Sequence, residues 1–203
     1  MTLPGIGVVI EHRGGKIVPA SLEALAKAHG SGQPTEAWVL ARDPAVAEET
    51  ASRGADTVHF VESLQLEQYT PESYALLLRE SLGSSPPSVL LFGHTATGME
   101  LAPKLAGAMS RPLLSDVLDF HLEGEGLWVE KSAYNGKLLF RLGVRCPPPA
   151  LITLRPATVQ ALPVGATQGT VLKSPADLTR LGLHRSVLGS EEPKTMDIDL
   201  ADA

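Results

Sequence analysis

The first hundred residues alternate between two hydrophobic periods. Ile6-Gly7-Val8-Val9-Ile10 is a short run with no polar side chain, the pattern of a strand covered on both faces. Ser21 then offers a helix cap, and Leu22, Leu25, Ala26 and His29 recur at helical spacing up to Gly30, a stop signal. The pair repeats. Ala37-Trp38-Val39-Leu40 predicts a strand, and Asp43-Pro44 a capped helix with proline at its first position, ending near Gly54. Thr57 to Val61 predicts a third strand. Thr70-Pro71-Glu72 opens another helix with Tyr74, Leu77, Leu78 and Ser81 on one side and Gly83 at its end, and Ser88 to Phe92 predicts a fourth strand. Strand and helix alternating every ~25–30 residues mark βαβ units, hence a parallel sheet with helices on both faces. Right-handed crossovers leave doubly wound topologies.

Past residue 112 the period changes. Leu127-Trp128-Val129 and Leu138 to Val144 read as strands, the second alternating so that one face is buried and the other wet. Asn135-Gly136 between them is a strong hairpin signal, because both residues tolerate positive φ. Cys146 precedes prolines 147 to 149, and Leu151-Ile152-Thr153-Leu154 supplies a last strand. The fold class expected is therefore α/β: a doubly wound, mostly parallel, Rossmann-like sheet with an added antiparallel β-hairpin. From residue 163 the rhythm is broken by Gly165, Gly169, Pro175, Gly182, Gly189 and Pro193, and the end, Met196 to Ala203, is acidic. Residues 1–162 are read as the domain and 163–203 as a connector or tail, with Leu178, Leu181 and Leu183 forming a short docked helix.

Composition narrows the function classes. The 203 residues are 43% hydrophobic and 20% charged, as in an ordinary globular protein with one substantial core. Only 4% are aromatic, too few for stacking platforms on single-stranded nucleic acid. The 17 basic and 23 acidic residues sum to −6, the wrong sign for neutralising phosphates of a duplex. Apolar runs are strand-sized, far short of the ~20 residues of a membrane helix, and no signal peptide opens the chain. Lone Cys146 cannot form an internal disulfide and fits a reducing compartment, so a cytoplasmic protein is expected.

In open parallel sheets, ligands sit at the carboxyl ends of the strands. The loop after the fourth strand is Gly93-His94-Thr95-Ala96-Thr97-Gly98, leading into Leu101, Ala102, Leu105, Ala106 and Met109 at helical spacing. Its glycines can turn backbone N–H groups toward a ligand at a helix N-terminus, which makes Gly93, Thr95, Thr97 and Gly98 the candidate cofactor-binding residues. Thr97 and Glu100 suit a capping box, although Pro103 then falls beyond the first turn, so the helix is expected to bend or start later. The spacing is not that of a P-loop, and Glu100 would repel phosphate. A tight structural turn explains the same glycines. Glu11-His12 ends the first strand, but adjacent residues of an extended segment point to opposite sides. The histidines (12, 29, 59, 94, 121 and 184) show no metal-ligand spacing. Ser115-Asp116 and Arg155 suit pairing or capping, and no nucleophile–base arrangement is visible. No catalytic residues and no metal site are expected.

These same residues carry a resemblance. Val8-Val9-Ile10-Glu11-His12, Gly15-Lys16 and Pro19-Ala20-Ser21-Leu22-Glu23-Ala24-Leu25 resemble the start of the electron transfer flavoprotein alpha subunit. Gly54-Ala55-Asp56, Tyr69-Thr70-Pro71-Glu72-Ser73-Tyr74 and Phe92-Gly93-His94-Thr95-Ala96-Thr97-Gly98 with Leu101-Ala102-Pro103-Lys104-Leu105-Ala106 continue it. Ser115-Asp116-Val117, Tyr134-Asn135-Gly136-Lys137 and Thr153-Leu154-Arg155-Pro156 follow in the family's order. The family often has Tyr-[Ala/Gly]-Gly where this hairpin has Tyr134-Asn135-Gly136, a change that keeps the turn chemistry.

The resemblance implies an amino-terminal domain of the adenine-nucleotide-hydrolase-like class, acting as scaffold and docking partner for a beta-type subunit. It implies FAD in the assembled heterodimer, held mainly by a second domain that opens with a Ser-Gly-Gly-Arg-Gly loop. That loop does not occur in these residues, so the resemblance covers the amino-terminal domain only. The FAD-binding domain would then act in cis or in trans, with a dehydrogenase of acyl-CoA or other type as electron partner. AMP is not favoured, because in the family the beta subunit holds it. The alternative reading, from a different class, is a stand-alone AMP- or ATP-binding module resembling universal stress proteins, with the Gly93–Gly98 loop gripping phosphate.

Overall fold

In the computed structural model the described residues are 5–67, 69–123, 126–181, 183, 187 and 189. The apolar runs become strands β1 (Ile6–Ile10), β4 (Thr35–Ala41), β5 (Thr57–Glu62), β6 (Val89–Gly93) and β10 (Ala150–Leu154). Every residue of β1, β6 and β10 is buried, which is the consequence of covering both faces. Between β1 and the first helix, β2 (His12–Arg13) and β3 (Lys16–Ile17) pair as a miniature antiparallel hairpin.

The helices are α1 (Pro19–His29), α2 (Ala45–Ala51), α3 (Pro71–Leu82) and α4 (Ala96–Met109). The chain continues into β7 (Leu113–Glu123), β8 (Gly126–Ala133), β9 (Leu138–Val144) and β11 (Thr170–Pro175). One sheet of nine strands results, in the order β11-β5-β4-β1-β6-β10-β7-β8-β9. Pairing is parallel from β11 across to β7, and antiparallel from β7 to β9. Helices cover both faces: Ala24, Leu25, Val46 and Ala47 pack into one core with Val8, Phe60 and Ile152. Leu77, Leu78, Leu101 and Leu105 pack into a second with Trp38, Leu90 and Leu151. The α/β, doubly wound, mostly parallel architecture with its antiparallel addition is the one expected.

Several local expectations are corrected. The helix of Ser21 starts earlier, behind Val18, with Pro19 in its first turn. Proline's fixed φ suits that place, and the Ser21 hydroxyl is spent accepting the Glu11 N–H at 2.9 Å. The cap of α4 is Thr95, not Thr97: its Oγ1 accepts the Gly98 N–H at 3.0 Å. The helix nevertheless starts early and passes through Pro103, at the loss of the bond that residue would have given to the Met99 carbonyl.

The antiparallel part has three strands where the pattern suggested two. Strand β7 escaped because a register slip near Asp116, at φ +55°, shifts the phase of its apolar residues. The turn after β8 takes Tyr134, Asn135 and Gly136 all to positive φ, as the Asn-Gly pair foretold. The burial expected for β9 does not hold: no residue of Leu138–Val144 is buried, because no helix covers either face of that outer strand. Strand β10 is not the last, since β11 joins the far edge beside β5. Leu178–Leu181 forms a 3-10 turn, with Leu178 buried and Leu183 packed on the second core. The acidic stretch Met196 to Ala203 lies outside the described residues. Among the described residues no helix is long and apolar enough to cross a membrane.

Candidate functional site

Strand β1 has β4 on one side and β6 on the other, so the winding reverses between β1 and β6. The crevice beyond their carboxyl ends is where doubly wound sheets place ligands. Gly93 ends β6 there, and a Cβ on it would come within 2.9 Å of the Ala20 methyl on α1. A Cβ on Gly98 would lie 1.9 Å from the Gly93 carbonyl oxygen. Both glycines therefore let α1 and α4 close tightly on the strand end. Thr95 Oγ1 donates to Glu11 Oε2 at 2.5 Å while it accepts from Gly98. Thr97 is half-buried in the first turn of α4.

Glu11 and His12 diverge, as residues of an extended segment should. Glu11 is held by Thr95 and by Arg13 at 3.2 Å. His12 Nε2 lies 2.9 Å from the Leu40 carbonyl, which fixes that nitrogen as a donor. The Tyr74 hydroxyl reaches the same carbonyl at 3.1 Å, and burial pushes its phenol up to about 12. Burial first, then the charge of Glu100, holds the Tyr69 phenol protonated beside the crevice.

One step along the sheet, Asp116 and Arg155 meet each other beside Thr153 and His94. Arg155, just past β10, grips Asp116 through two bonds, Nε to Oδ1 at 2.8 Å and NH2 to Oδ2 at 2.6 Å. That guanidinium holds the Asp116 carboxyl below its usual range. Thr153 Oγ1 accepts the Asp116 N–H at 2.9 Å and meets His94 Nδ1 at 2.8 Å. The His94 N–H donates to the Leu154 carbonyl at 2.7 Å. Segments that were only motifs along the chain thus form one hydrogen-bonded edge: Glu11, His94-Thr95, Asp116 and Thr153-Arg155. Asp116 and Arg155 are paired with each other.

The residues of the crevice do not fit the pyrophosphate of a dinucleotide. Glu11 already stands at the first turn of α4, and Glu100, whose charge acts with that of Glu11 on the Tyr69 phenol, adds a second carboxylate. Among the described residues no group of three or more His, Cys, Asp and Glu is placed to hold a metal ion. Burial pushes the half-buried Cys146 thiol up, away from thiolate character.

A second surface is defined by the outer strand. On one face of β8, Leu127 and Val129 belong to the first core. Their registered neighbours on β9 are Val144 and Leu142, and the same stripe runs outward through Phe140 and Leu138. Leu142, Phe140 and Leu138 are 42%, 41% and 48% exposed, and Leu139 on the opposite face 71%. The core's apolar stripe thus continues past the point where the protein covers it. The opposite face carries Trp128, with the Arg141 guanidinium 5.2 Å from its ring.

Comparison with known proteins settles the kinship. The electron transfer flavoprotein domain matches residues 6–178. The chain belongs to the electron transfer flavoprotein family. It is 30% identical over 201 residues to the electron transfer flavoprotein subunit alpha of Bacillus subtilis (strain 168), covering 97% of this chain and 61% of that protein. It is 26% identical over 207 residues to Protein FixB of Clostridium saccharobutylicum, covering 98% and 61%. Similarity to the lactate dehydrogenase (NAD(+),ferredoxin) subunit LctC of Acetobacterium woodii is 27% over 157 residues, 74% of this chain and 38% of that protein. The chain spans about three fifths of the length of the first two relatives. The match to alpha subunits of this family is the one the sequence motifs implied.

Proposed function

We propose that this chain is the alpha-type scaffold of an electron-transferring flavoprotein. It docks a beta-type subunit through the outer strand β9 and abuts a FAD-bearing domain, and it carries no redox or catalytic group of its own. The observation that carries this reading is the apolar stripe Leu142, Phe140 and Leu138, continuous with a buried core and uncovered in the single chain. Exposed stripes of this kind mark contact surfaces. The relatives' designation as subunits supports a partner chain.

Residues 1–162 form the working unit in this reading, and 163–203 a connector whose strand β11 zips onto β5. Gly93, Thr95, Thr97 and Gly98 would lie near the flavin held by the neighbouring domain, lending it a surface rather than a phosphate grip. The stand-alone nucleotide module draws no support from a helix N-terminus that already faces the Glu11 carboxylate. Size-exclusion chromatography of the chain mixed with a beta-type subunit tests the proposal. A stoichiometric complex is expected, together with no flavin absorption from the chain alone. Absence of any complex, even with a FAD-domain chain supplied, would overturn it.

A further inference from the structure

Strand β7 is two strands in one. Leu113 and Leu114 run parallel to Leu151 and Ile152 of β10, the register then slips before Leu154, and from Val117 onward the strand pairs antiparallel with β8. The slip sits at Asp116, whose φ of +55° lies in the left-handed region, which aspartate enters more readily than most residues when its side chain is hydrogen-bonded. The hydrogen bonds that hold it come from the end of β10, and His94 Nε2 stands 3.9 Å from Asp116 Oδ1. Thr153 Oγ1 takes the Asp116 N–H, Arg155 takes both carboxylate oxygens, and the Arg155 N–H bonds the Val117 carbonyl at 2.9 Å. His94, from the end of β6, meets Thr153 from the other side.

Packing holds the inner part of the hairpin but not its outer part, since from Glu130 outward neither β8 nor β9 has a buried residue. From Val117 onward the hairpin gives the core Val117, Phe120, Leu127 and Val129, with Leu122 and Val144 packed against them, while β9 contributes no buried residue. A second tether, Lys27 Nζ to Asp119 Oδ1 at 2.5 Å, joins it to α1.

The geometry points to Asp116 and Arg155 as positioning residues that set the direction in which the β7–β9 hairpin leaves the sheet, and through it the docking strand β9. The inference rests on the docking role proposed for that strand. A planar guanidinium gripping both oxygens of one carboxylate fixes orientation as well as distance, which an ammonium cannot do. The pair gives the Ser115-Asp116-Val117 and Thr153-Leu154-Arg155-Pro156 motifs a structural role, joining them across 39 positions.

The test compares the full chain with Asp116→Asn, which tolerates positive φ but lacks the charge, and with Arg155→Lys, which keeps the charge but loses the fork. Amide hydrogen exchange and affinity for a beta-type subunit are both read. Each variant is expected to speed exchange across residues 126–144 about tenfold, with β1 and β4 unchanged, and to weaken partner binding about tenfold. Unchanged hairpin exchange, or acceleration spread evenly over the whole sheet, would overturn the positioning role. Should the unaltered chain bind no beta-type subunit, the docking reading fails, while the exchange comparison still decides the hinge.

Discussion

Strands β10 and β9 are similar in composition and opposite in fate. β10 reads Ala-Leu-Ile-Thr-Leu and is buried at every position, whereas β9 reads Leu-Leu-Phe-Arg-Leu-Gly-Val and is buried at none. The difference lies in the neighbours. β10 runs between β6 and β7 with helices on both faces, while β9 is an edge strand beyond the reach of any helix. Burial is a property of position in the sheet, and an apolar sequence left bare at an edge calls for cover from another chain.

The widest separation of the two regions should come from truncating their side chains. Ile152→Ala removes a fully buried group and is expected to cost about 2–5 kcal/mol in denaturant unfolding. Phe140→Ser on β9 should stay within about 0.5 kcal/mol of the parent, yet lose the beta-type partner. Equal destabilisation by the two would erase the contrast.

Next in size is Gly98→Ala, whose methyl would meet the Gly93 carbonyl. A cost of about 1–3 kcal/mol is expected in thermal melting, and a neutral result would mean that α4 and β6 are not clamped as described.

Thr95→Ala removes the α4 cap and its bond to Glu11, and should cost about 1 kcal/mol. The matching change Thr97→Ala should cost less, since the cap is Thr95.

The smallest effect expected is on pH. The folded Asp116 carboxyl titrates below its unfolded value because of Arg155, so the pair's contribution is fully present above the ordinary carboxylate range. It is lost as pH falls through the lower folded value. Solvent exposure of both side chains keeps it modest. Hairpin protection, taken relative to the intrinsic exchange rate at each pH, should fall only in the acid limb, and a loss of protection near neutrality would contradict the assignment.

Much of the body was legible because its signals are local. Ile6–Ile10, Thr70-Pro71 and Asn135-Gly136 each fix a structure within a few residues, and all three hold. The α4 cap was misplaced by two residues, because Thr95 and Thr97 offer the same hydroxyl and only the approach of Glu11, 84 positions away, singles one out. The Asp116–Arg155 pair spans 39 positions, and nothing local joins them. β11 went unseen because a wholly exposed edge strand has no buried face to impose a period. The alternation read into β9 failed for a related reason: apolar residues report what could be covered, not what a single chain covers.

The docking role proposed for β9 makes residues 138–144 the surface offered to a beta-type subunit. Hydrogen exchange on the full chain, with and without an equimolar beta-type subunit, tests it most directly. Slowed exchange at residues 138–144, with the opposite edge at 170–175 unaffected, is the predicted result. Protection confined to β11, or no protection anywhere in the presence of that partner, would contradict it.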